Sequence, residues 1–504
     1  MENLIFWREW NKTPRFLYTV LLAVFLGALG WFLYAYVQGT QGVHEWKVNS
    51  ELDIVRVKLN SYKKGIFEIP LEGASYVVKE GFETVDKPVN FTARYIYGGF
   101  ILLAMCVLLT VISSLQRLWY GVGMALFMLF LAWIGFGYLE MSIGERGLLI
   151  VSIALYGASS YYFQSFGKHL GLLPRLLTFI AITAGLATWI GLTSPVKHPV
   201  LYLTSFGWII PITLTIIFMT MVAHDVLYGF FHVITKYNPG NPTNRIHFGI
   251  VSLIYLGNLV LIYLKDRGNI NIDIFYIDLH WLLAISAILG IWGFRTRGVT
   301  IRRFISFAPQ GGLMYLGMGI VAFATLAFYQ TTGNDAINSV MRDVILFSHI
   351  GYGVGFVFYV YVNLGAYMGR KVDVTQITYQ GEIIPHPMLR IIGLVFIFGF
   401  YSATKQIQRP QLLAGHYSNI AETYKAHGDK RLMQEYYKIA TQYFMYTYQP
   451  QYALGNIKRP KTNPSEAIEH MQRAILSYPT PYAYARLAQI FEENERENES
   501  ILTL

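Results

Sequence analysis

The sequence predicts an all-α polytopic membrane protein with about eleven transmembrane helices, a small β-rich extracytoplasmic insert and a C-terminal solenoid of paired helices. Three observations carry this. Of 504 residues, 54% are hydrophobic and only 14% charged, against about 25% charge in a soluble domain. Apolar runs long enough to cross a bilayer recur over most of the chain. Near the end, similar residues return at a spacing of 34.

A hydrocarbon core about 30 Å thick takes about 20 apolar residues in helix. Such runs fall at 16–38, 95–115, 119–139, 147–165, 176–193, 200–222, 247–264, 274–294, 313–330, 343–369 and 388–406. They must be helical, because lipid cannot satisfy free backbone groups. The first is too long for a signal-peptide core and reads as an anchor, so residues 1–38 form a cytoplasmic N-terminus and first span. The sixth run is expected to bend at Pro211. Aromatic residues make up 16% of the chain, as suits many membrane-water boundaries.

The net charge is +10, but the basic residues lie between apolar runs and read as topology signals. No basic stripe suggests nucleic acid. With the N-terminus inside, inner loops hold fifteen Lys and Arg, among them Arg175, Arg297 and Arg390, against five in short outer loops, among them Arg267 and Arg342. The bias predicts a cytoplasmic N-terminus, and eleven crossings then place the C-terminal repeats outside. The lone Cys106 allows no intramolecular disulfide and no thiolate cluster.

Residues 39–94 alternate with period two, as in Val55-Arg56-Val57-Lys58-Leu59 and Phe67-Glu68-Ile69-Pro70-Leu71-Glu72. They predict three or four half-buried strands broken at Gly65, Gly73 and Gly81. Residues 95–406 carry the remaining spans. Within them, 223–246 reads as a cytoplasmic helical extension ended by Asn238-Pro239-Gly240-Asn241-Pro242.

In 407–504 charge rises and apolar runs shorten. Tyr417, Ile420, Ala421 and Tyr424 fit the packing positions of a first helix, and Gly428-Asp429 an inter-helix turn. Leu454-Gly455, then Ala467, Met471, Ala474 and Pro479, repeat the scheme, and Tyr484, Leu487, Ala488 and Phe491 begin a third copy. Over 411–504 the chain resembles the tetratricopeptide-repeat family. It departs from the family at Lys458, Pro460, Asn463 and Pro464, where the second turn should be compact. The resemblance implies a concave protein-binding surface, with Tyr417, Tyr424, Tyr436, Tyr437 and Tyr484 as partner-binding residues. The bland alternative is an appendage packed on its own membrane domain.

Ionisable residues inside spans are costly and are functional hypotheses by default. Asp278 and His280 open the eighth span, and Asp343 and His349 the tenth. Counted from the expected helix starts, both imidazoles lie roughly 9 Å deep. If the helices are neighbours, these four residues are catalytic candidates, and His280 with His349 could ligate a metal or haem. The alternative is packing histidines held by hydrogen bonds. At the inner boundary lie His224, Asp225, His232 and His247, with His224 and Asp225 about 100° apart on a helix; a polar interfacial belt explains them equally.

No Walker A loop, His-Glu-x-x-His or Gly-x-Ser-x-Gly occurs, and Cys106 has no His or Arg beside it for a cysteine-based transpeptidase. The glycines at 311, 312, 317, 319, 351, 353 and 355 read as close helix packing. The leading expectation is a membrane-anchored scaffold or assembly factor whose repeats bind a protein, with the lipid bilayer as its other partner and no nucleic acid. The alternatives are an integral membrane enzyme acting on a lipid-linked or cell-envelope substrate, like a glycosyltransferase or ligase, and a transporter or redox carrier. No cofactor is assigned.

Overall fold

The computed structural model describes residues 5–144, 146–270, 275–302, 305–370, 374–381, 383–457 and 464–504. After a short turn at Phe6–Glu9 come α1 (Lys12–Gln38), strands β1 (His44–Lys64) and β2 (Phe67–Asp86), then α2 (Phe91–Ile112), α3 (Arg117–Ala132), α4 (Gly147–Ser165), α5 (Leu172–Thr193), α6 (Pro199–Phe206), α7 (Ile209–Val222), α8 (Asp225–Tyr237), α9 (Asn244–Asp266), α10 (Leu279–Ile301), α11 (Gly312–Thr331), α12 (Asp335–Leu364), α13 (Val374–Ile377) and α14 (His386–Ala403). The C-terminal helices are α15 (Gln408–His427), α16 (Lys430–Tyr443), α17 (Tyr448–Ile457), α18 (Pro464–Ser477), α19 (Pro481–Glu492) and α20 (Glu497–Thr503).

Among the described residues, nine helices are long and apolar enough to cross a membrane, with α7 and α8 counted together over Ile209–Tyr237. The other two expected spans fall on α3, of 16 residues, and α4, of 19, which do not meet that measure. The bend expected at Pro211 lies earlier, at Gly207–Trp208 between α6 and α7.

The chain divides into two compact units. One is Met1–Thr40 with Asn90–Phe444; the other is Gln41–Val89 with Met445–Leu504. The division does not follow the order of segments: the first C-terminal helix pair, α15 and α16, belongs with the spans, while the second pair joins the strands.

In the first unit α11 is central. Its most apolar window is 94% buried, against 17% for α5 and α14, as expected for a helix apolar on every side. Close contacts at its glycines allow this: Gly319 meets Phe25 of α1, and Gly317 meets Leu108 of α2. Gly351 of α12 likewise meets the Gly393 carbonyl and Phe396 of α14. The glycine runs therefore do serve close helix packing.

In the second unit the expected three or four half-buried strands are two. β1 and β2 form one long antiparallel hairpin with a register shift between Lys58 and Asn60. Side chains on both faces are exposed, including Leu52, Ile54, Ile69 and Val78. The period-two pattern holds for strand but not for burial, because among the described residues no second layer covers either face. Only the base is packed. There His44 Nδ1 lies 3.0 Å from Asp86 Oδ1 across the strands, and its Nε2 lies 3.1 Å from the Tyr448 hydroxyl. Tyr452 reaches Thr84 and Tyr482 stacks on Trp46. Helices α17–α19 share the apolar cluster of Tyr448, Tyr452, Met471, Leu487 and Phe491. Lys458, Pro460 and Asn463 lie outside the described residues, and Pro464 begins α18.

Candidate functional site: a charged helix break

The four residues expected to share an outer site do not all meet: Asp278 and His280 are in contact and Arg342 ties them to the turn of α12 that carries Asp343, while His349 stands apart. The eighth and tenth expected spans begin at α10 and α12, but α10 starts at Leu279 and α12 already at Asp335. His280 is thus at the very mouth of its helix, whereas His349 lies about 21 Å along its own. No hydrogen bond or ring contact joins them. His349 is fully buried, its Nδ1 2.8 Å from the Ile345 carbonyl one turn back. His280 stacks on Tyr36 of α1, and its Nδ1 lies 2.8 Å from the Asp278 carboxylate.

Asp278 caps α10 by accepting from the His280 backbone N–H, and it also accepts from Arg342 Nη1 at 3.1 Å. Arg342 bonds Asp266 with both Nε and Nη2. Asp343 accepts from Arg267 and from Gln408 of α15. These charges tie α9, α10, α12 and α15 together at one end of the bundle. Among the described residues no group of three or more His, Cys, Asp and Glu could hold a metal ion.

A second group of residues converges near the other end. Between α7 and α8 the helix is interrupted at Ala223 and His224, and His224 has non-helical ψ. An interruption leaves carbonyls at the end of α7 without N–H partners. Side chains replace them. Arg390 Nη1 donates to the Thr220 carbonyl at 3.1 Å, Arg297 Nη1 to Met221 at 2.9 Å, and the Ser286 hydroxyl to Val222. Arg297 Nη2 also bonds Asp225 Oδ2 at 2.8 Å, and its Nη1 lies 3.2 Å from His224 Nε2. The Tyr379 hydroxyl lies 3.3 Å from the same nitrogen. His386 packs edge-on against Tyr379.

His224 and Asp225 are fully buried and Arg297 is 2% exposed. Both reach the one guanidinium of Arg297, His224 from the break and Asp225 from the first turn of α8. Two guanidinium groups and one carboxylate give the cluster a formal charge of +1. Among the described residues, Asp225 Oδ1, His224 Nδ1, Arg297 Nε and His386 Nε2 have no hydrogen-bond partner. Arg297 and Arg390 were read as loop charges; both instead sit on apolar helices and face inward. The same holds for Arg175, which donates to the Ser113, Leu170 and Gly167 carbonyls. Their sequence signal was an arginine within one or two turns of an apolar run. The other inner-boundary histidines stand apart: His232 packs near Tyr228, and His247 is exposed.

Room for the buried carboxylate comes from two glycines of α10. A Cβ on Gly290 or Gly293 would meet Asp225 Oδ2 or Oδ1 respectively. Gly293→Ala is expected to lower stability by about 1–3 kcal/mol through overpacking, measured as a fall in the thermal midpoint in detergent. Gly257→Ala, with open space around its Cβ position, is the control.

The predicted partner-binding tyrosines divide. Tyr437 is fully buried and its hydroxyl bonds Glu422, so it belongs to the core of the first helix pair. Tyr484 is 39% exposed on α19. Tyr417, Tyr424 and Tyr436 are half-buried and form a ladder with the more exposed Tyr443. Tyr443 stacks on Tyr417 at 5.2 Å and 11°, and Tyr436 on Tyr424 at 5.3 Å and 5°, with 6.2 Å between Tyr417 and Tyr436. The spacing of seven within each helix, 417 to 424 and 436 to 443, places each pair on one face.

This first pair is clamped to the spans. Arg94 of α2, with no exposed surface, donates to Ser205 at 2.8 Å, Asn419 at 3.0 Å and Thr423 at 3.3 Å. Asn334 donates to the Gly415 carbonyl at 2.8 Å. His416 stacks on Trp208 at 4.8 Å. Burial lowers the His416 pKa to about 4, opposed by a backbone hydrogen bond to Ser205. The unfolded chain therefore binds a proton below about 6.5 that the docked helix refuses. Docking of α15 is expected to be full above pH 6.5 and to weaken as pH falls toward 4. Hydrogen exchange of residues 408–427 across that range checks it, with His416→Phe flattening the dependence.

No protein-family model, no curated protein and no solved structure matches this chain.

Proposed function

We propose that the protein is a multi-pass membrane scaffold or assembly factor whose C-terminal helix pairs are tetratricopeptide-like and recruit a protein partner. The observation that carries this reading is the tyrosine ladder of Tyr443, Tyr417, Tyr436 and Tyr424 on a helix pair clamped to the bundle. Half-buried, mutually stacked tyrosines offer broad amphipathic contact area with little side-chain entropy left to lose. Interface energy commonly concentrates in such residues.

In this reading α3 and α4 both cross the bilayer and bring the spans to eleven. Whether that pair crosses or not, the number of crossings stays odd, so the two termini lie on opposite sides. Basic loop residues favour an inner N-terminus, which places the repeats outside the cytoplasm, facing the cell envelope. Protease protection of a tag after Leu504 tests the side.

The partner is tested by a photo-reactive amino acid at position 424 or 443 in native membranes, with crosslinks identified by mass spectrometry. A discrete protein adduct is expected. Tyr436→Ala should reduce it by roughly tenfold or more, since a tyrosine hot spot is worth about 2 kcal/mol, without loss of monodisperse protein. Adducts with lipid alone would overturn the reading.

A second reading is favoured by the charged break between α7 and α8. Buried Arg297, Arg390, Asp225 and His224 suit chemistry on, or passage of, an anionic lipid-linked or envelope substrate. Asp225→Asn and His224→Gln that abolish the cellular phenotype at normal abundance would favour it over the scaffold.

A further inference from the structure

The first unit contains a recess of about 370 Å³ bounded by α2, α4, α5, α6 and the start of α7. Its inner wall is buried and almost wholly apolar, with Tyr97, Leu131, Ile190 and Ile210. Its mouth is marked by Tyr95, Leu102, Ala187 and Gly191, which line it and are exposed on the sides of their helices. These mouth residues lie on α2 and α5, two helices of spanning length. A lateral opening at that level faces hydrocarbon, so lipid is the molecule available to fill it.

Two buried hydroxyls line the recess, those of Tyr97, which lies beside Thr325, and of Ser152; the second narrows the ligand. Ser152 of α4 is 1% exposed, lines the recess, and its hydroxyl has no hydrogen-bond partner among the described residues. A bare buried hydroxyl costs free energy until an acceptor reaches it. Ser152 lies five residues into α4, about 8 Å along the helix. With the start of α4 at the outer edge of the headgroup layer, that is the depth of a phospholipid's ester carbonyls, given an interfacial layer of about 5–8 Å on each side of the core. The remaining volume, roughly a dozen water-sized groups at about 30 Å³ each, matches one hydrocarbon chain. Deeper in, Tyr156 and Thr183 hydrogen-bond each other at 2.7 Å and leave an apolar lining around them.

We propose that this recess is a binding site for one acyl chain of a membrane phospholipid, whose ester carbonyl accepts a hydrogen bond from Ser152. The chain enters between Leu102 and Ala187 and runs inward past Met105. A second carbonyl-bearing lipid, with a prenyl chain, would meet the same groups, and the test separates the two.

The full-length protein is reconstituted in phosphatidylcholine–phosphatidylglycerol vesicles in which a fraction of the phospholipid carries a diazirine midway along one chain. After irradiation the label is mapped by peptide mass spectrometry. Label is expected to concentrate on residues 98–105 and 183–191, and to fall at least fivefold there in Ala187→Phe. Label on the exposed residues Leu253 and Ile254 of α9 should not change. Ser152→Ala should reduce retention of the lipid through detergent purification two- to tenfold. Gly191→Leu, at a position where a Cβ meets nothing, replaces Ala187→Phe if that variant is not monodisperse. Label spread evenly over all lipid-facing helices, and equal in the variants, would overturn the proposal. So would recovery of a prenyl lipid rather than a phospholipid from the purified protein.

Discussion

Arg297→Met is expected to remove most of the folded protein. In the native bundle the Asp225 carboxylate is fully buried, and Arg297 Nη2 at 2.8 Å is its ion-pair partner. Taking away its hydrogen-bonded partner leaves the buried carboxylate with only the more distant field of Arg390, and breaking a buried pair costs about 3–5 kcal/mol. The same substitution strips the Met221 carbonyl of a donor at the helix break. Against a total stability of about 5–15 kcal/mol, the loss should appear as a collapse of the monodisperse fraction in detergent. Asp225→Asn added to Arg297→Met should restore much of that fraction, because it removes the stranded charge. Asp225→Asn alone should be milder, since Arg297 keeps the Met221 carbonyl and His224. A normal yield of Arg297→Met would mean that the carboxylate is hydrated, and the charged break would lose its meaning as a buried site.

Arg94→Leu is expected to release α15 from the bundle while leaving the spans folded. Three acceptors, Ser205, Asn419 and Thr423, take hydrogen bonds from this one buried guanidinium. Bonds to a charged donor are worth about 1.5–3 kcal/mol each and do not add fully, so a local loss on the order of 3 kcal/mol or more is reasonable. Amides of 408–427 should then exchange at least a hundredfold faster, while those of α11 keep their protection. Asn419→Ala should show a smaller effect of the same kind. If exchange in α15 is unchanged, the contacts through Gly415, Gln408 and His416 are sufficient by themselves.

The mostly helical class, the positions of nine helices long and apolar enough to cross a membrane and the existence of paired helices at the C-terminus were legible in one dimension. Apolar run length and the placing of Gly428-Asp429 between two helical patterns are local quantities, and local quantities survive without a fold. The strand pattern of 44–86 was legible for the same reason. The number of strands was not, because β1 and β2 run unbroken past Gly73 and Gly81 rather than turning there. Gly65 alone, with φ of 62° at the hairpin tip, acts as a turn.

The site was less legible. His280 and His349 looked equivalent because depth was counted from expected helix starts, and an error of eight residues at Asp335 moved one of them by about 12 Å. Arg297, Arg390 and Arg175 looked like loop charges, because an arginine near the end of an apolar run has the same composition whether it snorkels outward or turns in. Tyr437 and Tyr436 are adjacent letters, yet one is core and the other surface.

By itself, then, the sequence determined that this chain is mostly helical, roughly where its long apolar helices lie, and that further helices follow them. Tertiary structure alone decided that Asp225 meets Arg297 across 72 residues and that Arg94 meets Asn419 across 325. Run length and periodicity are properties of neighbouring residues, whereas a buried charge finds its partner through the packing of helices that no local pattern records.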